Sequence, residues 1–187
     1  MAKYSNNNIF PTFAFLALVM GIACSKSGDS IKENIMLLQS RKIHIPYTSL
    51  QKYCSNEDKI TLIDNWAYKL VIYTDSASCS SCALKRLPDW LPLVDSLSSK
   101  IDILFIFSPT KDNLEKLKET LLLENITYPI YIDTCSAFIR ANPHIPSNNL
   151  MHTFLLNEED SVVLVGNPQS NPKIKELLFN ILEESKQ

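Results

Sequence analysis

Lys69-Leu70-Val71-Ile72-Tyr73-Thr74-Asp75-Ser76-Ala77-Ser78-Cys79-Ser80-Ser81-Cys82 is the stretch of this 187-residue chain that decides its fold. A short continuous apolar run, with no polar residue on alternate positions, reads as a strand covered on both faces. Beyond it the period changes. Leu84, Leu87, Leu91 and Val94 recur at helical spacing and Trp90, Leu93 and Leu97 widen the stripe, so a helix packed on a sheet is expected. Pro88 and Pro92 should kink or divide it, because a proline inside a helix removes a hydrogen bond and clashes with the preceding turn. The cysteines therefore stand where a buried strand turns into a helix.

The same alternation continues toward the C-terminus. Ile101 to Phe107 is a second buried strand, Asp112 is read as the cap of a helix with Leu114, Leu117, Leu121 and Leu122 on its apolar face, and Tyr128 to Ile132 is a third strand. A short helix capped by Asp133 or Thr134 is expected to Ala141, then a proline-punctuated loop to Leu150. Thr153 to Leu156 and Ser161 to Val165 form a hairpin around Asn157-Glu158-Glu159-Asp160. Asn171 and Pro172 open a last helix with Ile174, Leu177, Leu178 and Ile181 on one side. This order forces an α/β fold whose mixed sheet is parallel first and antiparallel at the end, with helices on both faces. Before Lys69 the reading is thinner. Ile43-His44-Ile45 alternates, Pro46 interrupts, and Ile60 to Ile63 is apolar and β-branched, which suits a small hairpin.

Two residues between Cys79 and Cys82 bring both sulfurs within bonding distance on one helical turn. At the helix N-terminus, free backbone N–H groups and the positive end of the dipole favour a thiolate, so Cys79 is the attacking thiol. Cys82, one turn deeper and expected to be more shielded, is the resolving thiol that closes the disulfide and releases the partner. A second CxxC is absent from the sequence, which disfavours a zinc ribbon. Cys54 and Cys135 could pair or stay free, and a small buried apolar role is expected for Cys135.

The order of elements around Cys79-Ser80-Ser81-Cys82 resembles the thioredoxin superfamily. In particular it is similar to the branch with a helix and strand inserted in the core, here Asp112 to Ile132, as in peroxiredoxins, cytochrome-maturation reductases and thioredoxin-like lipoproteins. The resemblance implies a thiol-disulfide oxidoreductase acting on envelope protein thiols or disulfides, with no cofactor. Ser78 stands where that family has a tryptophan. His152, directly before Thr153, stands where the family has the cis-proline of its substrate loop, and Pro146 lies six residues upstream. His152 also resembles the histidine of Sco-type copper chaperones, which implies an alternative copper site of Cys79, Cys82 and His152, although the cysteines of those proteins are three residues apart and these are two. A peroxidase is disfavoured, because Ser76-Ala77-Ser78-Cys79 lacks the proline-threonine-cysteine context. A third reading keeps the fold as a non-catalytic interaction module stapled by the disulfide.

The N-terminus sets the compartment. A polar segment with Lys3 precedes an apolar stretch from Ile9 to Ala23, shorter than a membrane span, that ends in Gly21-Ile22-Ala23-Cys24. This resembles a bacterial lipoprotein signal, with Gly21 replacing the usual aliphatic residue. It implies a signal peptide over 1–23, lipidation of Cys24, a polar tether over 24–42 and a folded domain over 43–187 at a membrane of the cell envelope. The formal net charge is -2, from 18 basic and 20 acidic residues, so no chain-wide attraction to nucleic acid is expected.

Overall fold

A computed structural model describes residues 25–53, 66–124, 126 and 128–184. The expected signal peptide, Cys24, Cys54 and the Ile60–Ile63 segment lie outside the described residues. The chain divides into two compact units, Met1–Glu33 and Asn34–Gln187. No described helix is long and apolar enough to cross a membrane.

The elements are α1 (Ser25–Gln39), β1 (Gln51–Tyr53), β2 (Lys69–Thr74), α2 (Ser80–Lys85), α3 (Leu91–Leu97), β3 (Asp102–Phe107), α4 (Lys111–Leu123), β4 (Ile130–Ile132), α5 (Ala137–Ala141), β5 (Thr153–Leu156), β6 (Val162–Val165) and α6 (Pro172–Glu184). They form one six-stranded sheet in the order β1-β4-β3-β2-β5-β6. β2 runs parallel to β3 and β3 to β4, whereas β5 lies antiparallel to β2 and β6 antiparallel to β5. From β2 to β6 the mixed sheet is therefore the expected one, parallel across β2, β3 and β4 and antiparallel at β5 and β6, while β1 adds antiparallel to β4 at the other edge.

Why the strands are apolar without alternation is visible in how they are covered. Leu70, Ile103, Phe105, Phe107 and Ile130 face Leu84, Leu87 and Trp90, along with Leu117 of α4 and Leu178 of α6. The neighbours Val71, Tyr73, Leu104 and Ile106 point the other way, onto Leu38, Ile43, Phe138 and Met151. Period-two geometry sends successive side chains to opposite faces, and both faces are buried here.

The prolines act as the sequence predicts. α2 ends at Lys85, a 3-10 turn spans Leu87–Trp90, and α3 restarts at Leu91 with Pro92 in its first turn. Several boundaries differ from the expectation. α4 is capped by Thr110, whose hydroxyl accepts from Asn113 N at 3.3 Å, and Asp112 sits inside the first turn. Leu122, expected in the core, is 80% exposed, since α4 turns that residue away from the sheet. Leu177 is likewise exposed and Leu182 takes the core position. α5 begins only at Ala137, because Ser136 adopts the left-handed conformation (φ 54°). Asp133, fully buried, nevertheless caps it by accepting from Ala137 N at 2.8 Å and Phe138 N at 2.9 Å. Gly166 ends β6 at φ 125°, where a Cβ would come within 3.1 Å of Ile174.

The segment expected as a tether is partly built into the fold. Residues Ser25–Gln39 are helical and Leu38 is fully buried, so packing begins ahead of Ile43. Ile43-His44-Ile45 is not a strand. Its alternation reflects instead one extended edge with Ile43 and Ile45 in the core and His44 turned outward. That edge is held by Asn142, a wholly buried side chain that accepts from His44 N at 2.8 Å and donates to His44 O at 2.7 Å and Phe138 O at 2.8 Å.

His144 supplies a pH-dependent element. It is 6% exposed, and neither ring nitrogen makes a well-formed hydrogen bond. Burial is the main cause that lowers its pKa below 6.5; the Arg41 charge adds to this and the Arg41 main chain offsets part of it. The unfolded chain therefore takes up a proton near pH 6.5 that the native chain refuses. That contribution to stability is complete above 6.5 and declines as pH falls toward the lower native value. Urea midpoints should drop between pH 7.5 and 5.5, and His144→Phe should flatten the slope; equal slopes would assign the decline to other groups.

Candidate redox site

The site is built where β2 ends. Thr74 leads into a turn in which Ser78 N donates to Asp75 O at 3.2 Å and the Ser78 hydroxyl donates to Asp75 Oδ1 at 2.5 Å. That turn delivers Cys79 as the N-cap of α2, in extended conformation (φ -74°, ψ 94°), with its carbonyl accepting the first helical bond from Ala83 N at 3.0 Å. Serine, serine and cysteine follow without a β-branched residue, so the chain enters the helix at once.

Cys79 and Cys82 are joined as a disulfide with Cα atoms 5.2 Å apart, a separation normal for such a bridge. Cys79 Sγ accepts from Cys82 N at 3.2 Å. A cap position normally filled by a serine or aspartate oxygen is thus filled by sulfur, and the same N–H would stabilise negative charge on it after reduction. α2 has only six residues, so this local donor matters more than any long-range dipole. The expected shielding of Cys82 is absent: both cysteines are exposed. The difference between the two sulfurs lies in their hydrogen bonding. Ser80, between them, is buried with no partner for its hydroxyl.

Cys79 and Cys82 line a cavity of about 420 Å³, together with apolar residues such as Trp90 and Phe107 and polar ones such as Arg86, Asp89 and Asn149. His152 also lines it, but its ring is committed elsewhere. Nε2 donates to the Pro146 carbonyl at 2.9 Å, and the ring lies 5.1 Å from that of Tyr73. Pro146 thus meets His152 through its main chain. Thr153 is buried at the start of β5, paired with Ile72, and presents no free substrate edge.

The copper reading needs Cys79, Cys82 and His152 as one ligand set. Among the described residues no three His, Cys, Asp or Glu side chains are grouped to hold a metal ion. In this oxidised form the two sulfurs are bonded to each other and the His152 imidazole lies on the Pro146 carbonyl. Cys135 is an exposed free thiol rather than a buried apolar residue, because the chain turns outward into Ser136 there; its sulfur is 3.8 Å from Asp133 Oδ1.

Asn149 is a site residue that the sequence reading missed. Its amide donates to Ser78 Oγ at 3.1 Å and so links the turn before His152 to the turn before Cys79. The signal was available in Asn148-Asn149, a pair suited to turn capping, but nothing in the spacing connects it to Ser78 across 71 positions.

Comparison with known structures agrees with this architecture. A thioredoxin-like protein solved in solution in its oxidised form superposes with a TM-score of 0.51 at 19% identity, covering 77% of this chain and 97% of that one. The exposed lipoprotein thioredoxin of Streptococcus pneumoniae strain TIGR4 gives 0.45 at 15%, over 65% and 87% of the two chains. StoA from Bacillus subtilis gives 0.42 at 18%, over 62% and 88%. No protein-family model and no curated protein matches the sequence. The fold is thioredoxin-like, and within it the chain carries a Cys79–Cys82 disulfide at the junction of β2 and α2.

Proposed function

We propose that this protein is a thiol-disulfide oxidoreductase of the cell envelope, tethered to a membrane through lipid on Cys24 and exchanging disulfides with envelope proteins through Cys79 and Cys82. The observation that carries the reading is the exposed disulfide whose first sulfur is the N-cap of α2 and accepts from Cys82 N at 3.2 Å. In the reducing direction the Cys79 thiolate attacks a substrate disulfide and expels one substrate thiolate. Cys82 then attacks Cys79 Sγ, expels the second, and the protein ends as the disulfide with the substrate carrying both electrons. Two thiols suffice for this, so no cofactor enters. The protons lost by the cysteines go to the departing substrate thiolates.

The test uses the purified chain reduced with dithiothreitol. Its pair should reduce a peptide disulfide and titrate at a potential well above about -300 mV, the range below which structural disulfides resist reduction. An inert pair below that value would instead make the disulfide a staple and the protein a non-catalytic module. The tether has its own measurement. Mass spectrometry of the membrane fraction should find Cys24 as a diacylated first residue, and Cys24→Ser should move the chain to the soluble fraction; cleavage at any other bond would refute it.

A further inference from the structure

Residues 40–46 belong to no strand, so side chains and turn carbonyls hold them where a ladder would otherwise do so. Just ahead of them Gln39 Nε2 donates to Val162 O at 3.2 Å. Lys42 Nζ then lies 3.5 Å from Glu159, Ile43 N donates to Asp160 O at 2.8 Å, and the Asn142 side chain holds His44 N and O. Ile43 and Ile45 reach into the core, whereas Arg41, Lys42 and His44 are exposed. The segment is a strap, fastened at a few points along the loop after α5 and the β5–β6 hairpin.

His144 is buried against this strap. Both the charge and the main chain of Arg41 act on its ring, which solvent barely reaches and which makes no well-formed hydrogen bond. The other charged or titratable groups nearby are Lys42 and His44 on the strap, Arg140 in α5, and Glu159 and Asp160 in the hairpin. The two carboxylates are paired with Lys42 and Lys69, and Arg41 is the charge that acts on His144. A neutral imidazole is tolerated in such a place. A protonated one would be a buried cation with no carboxylate partner among the described residues and a second cation beside it, which is costly. Lifting the strap relieves both terms at once, because it hydrates the ring and takes Arg41 away.

We propose that residues 40–46 are an acid-released strap, lifted from the domain when His144 takes up a proton while the six-stranded sheet and the Cys79–Cys82 end stay folded. The released residues would add up to about 23 Å of extended chain on the N-terminal side of the domain. For a domain tethered through that side, acid would lengthen the reach of the redox pair. Release of the strap does not itself rest on the tether or on the oxidoreductase reading.

The experiment is hydrogen–deuterium exchange of the full chain at pH 7.5 and 5.5, read by mass spectrometry on peptides covering residues 40–46 and 69–74. Each rate is divided by that of the unstructured peptide at the same pH. Strap amides should be less protected than those of β2 at both pH values, and their protection should fall severalfold at pH 5.5. The ceiling is about tenfold, the change that one histidine titrating near 6.5 imposes between these values when it is free only in the open form. In His144→Phe the protection of the strap should be the same at both pH values. The inference is overturned if the wild-type strap does not respond to pH, if its fall persists in His144→Phe, or if strap and β2 open only together. Should His144→Phe not fold, His144→Gln, which also lacks a titrating ring, makes the same comparison. Disulfide exchange enters none of these readings, so their failure leaves the oxidoreductase proposal standing.

Discussion

Cys79→Ser is expected to reduce disulfide exchange to the uncatalysed background, a fall of at least ~10³-fold on the scale of enzymatic rate enhancements. Cys82→Ser should behave differently, keeping the first attack and stopping there. The reason is the asymmetry of the two sulfurs. Cys79 Sγ receives the Cys82 N–H at 3.2 Å, and Cys79 occupies the cap position where a negative charge meets the unsatisfied amides of the first turn. Serine at position 79 retains the cap but has no accessible thiolate near neutral pH. Serine at position 82 leaves the Cys79 nucleophile and removes the group that resolves the mixed disulfide. Intact mass spectrometry after mixing with a peptide disulfide should show one peptide bonded to Cys82→Ser and none to Cys79→Ser. The opposite pattern would exchange the roles of the two cysteines.

Asn142→Ala should lower stability by about 3 kcal/mol, the sum expected when a buried polar side chain is lost and its backbone partners are left without hydrogen bonds. Asn142 is wholly buried and joins His44 N and O to Phe138 O, three bonds of 2.7 to 2.8 Å. It fastens the extended edge before Tyr47 to the end of α5, and that edge carries Ile43 and Ile45 into the core. At roughly 2–4 °C per kcal/mol for a domain of this size, Tm should fall by about 6–12 °C. The disulfide lies on other elements, so the reduced protein should retain exchange activity below its lowered Tm. A loss under about 0.5 kcal/mol would show that water or relaxed geometry replaces these bonds.

The buried strands and the cysteine pair were legible because each leaves a strong local mark. Four apolar residues in succession at Leu70–Tyr73, a change of period at Leu84 and prolines at 88 and 92 place β2, α2 and the break after it without help from the rest of the chain. What was not legible depends on distance. Ile43 and Ile45 alternate as a strand does, yet Asn142, nearly a hundred positions away, satisfies the backbone between them in place of a neighbouring strand. His152 marked the correct place beside the site, but the Pro146 carbonyl that orients its ring gives no signal in composition or spacing. The exposure of Cys82 escaped for a similar reason. Helical spacing gives its direction relative to Cys79, while the depth of the sheet's end beneath α2 sets how much of it solvent reaches.

The bridge at the head of α2 encloses only a four-residue ring, since its cysteines are three positions apart. Chain-entropy arguments make a cross-link of that size worth about 2 kcal/mol, against nearly 5 for one spanning a hundred residues. The hydrophobic layers on both sides of the sheet are assembled from residues outside that ring. Opening the bond should thus lower Tm by only about 4–8 °C, leaving the layers on both sides of the sheet folded in either redox state.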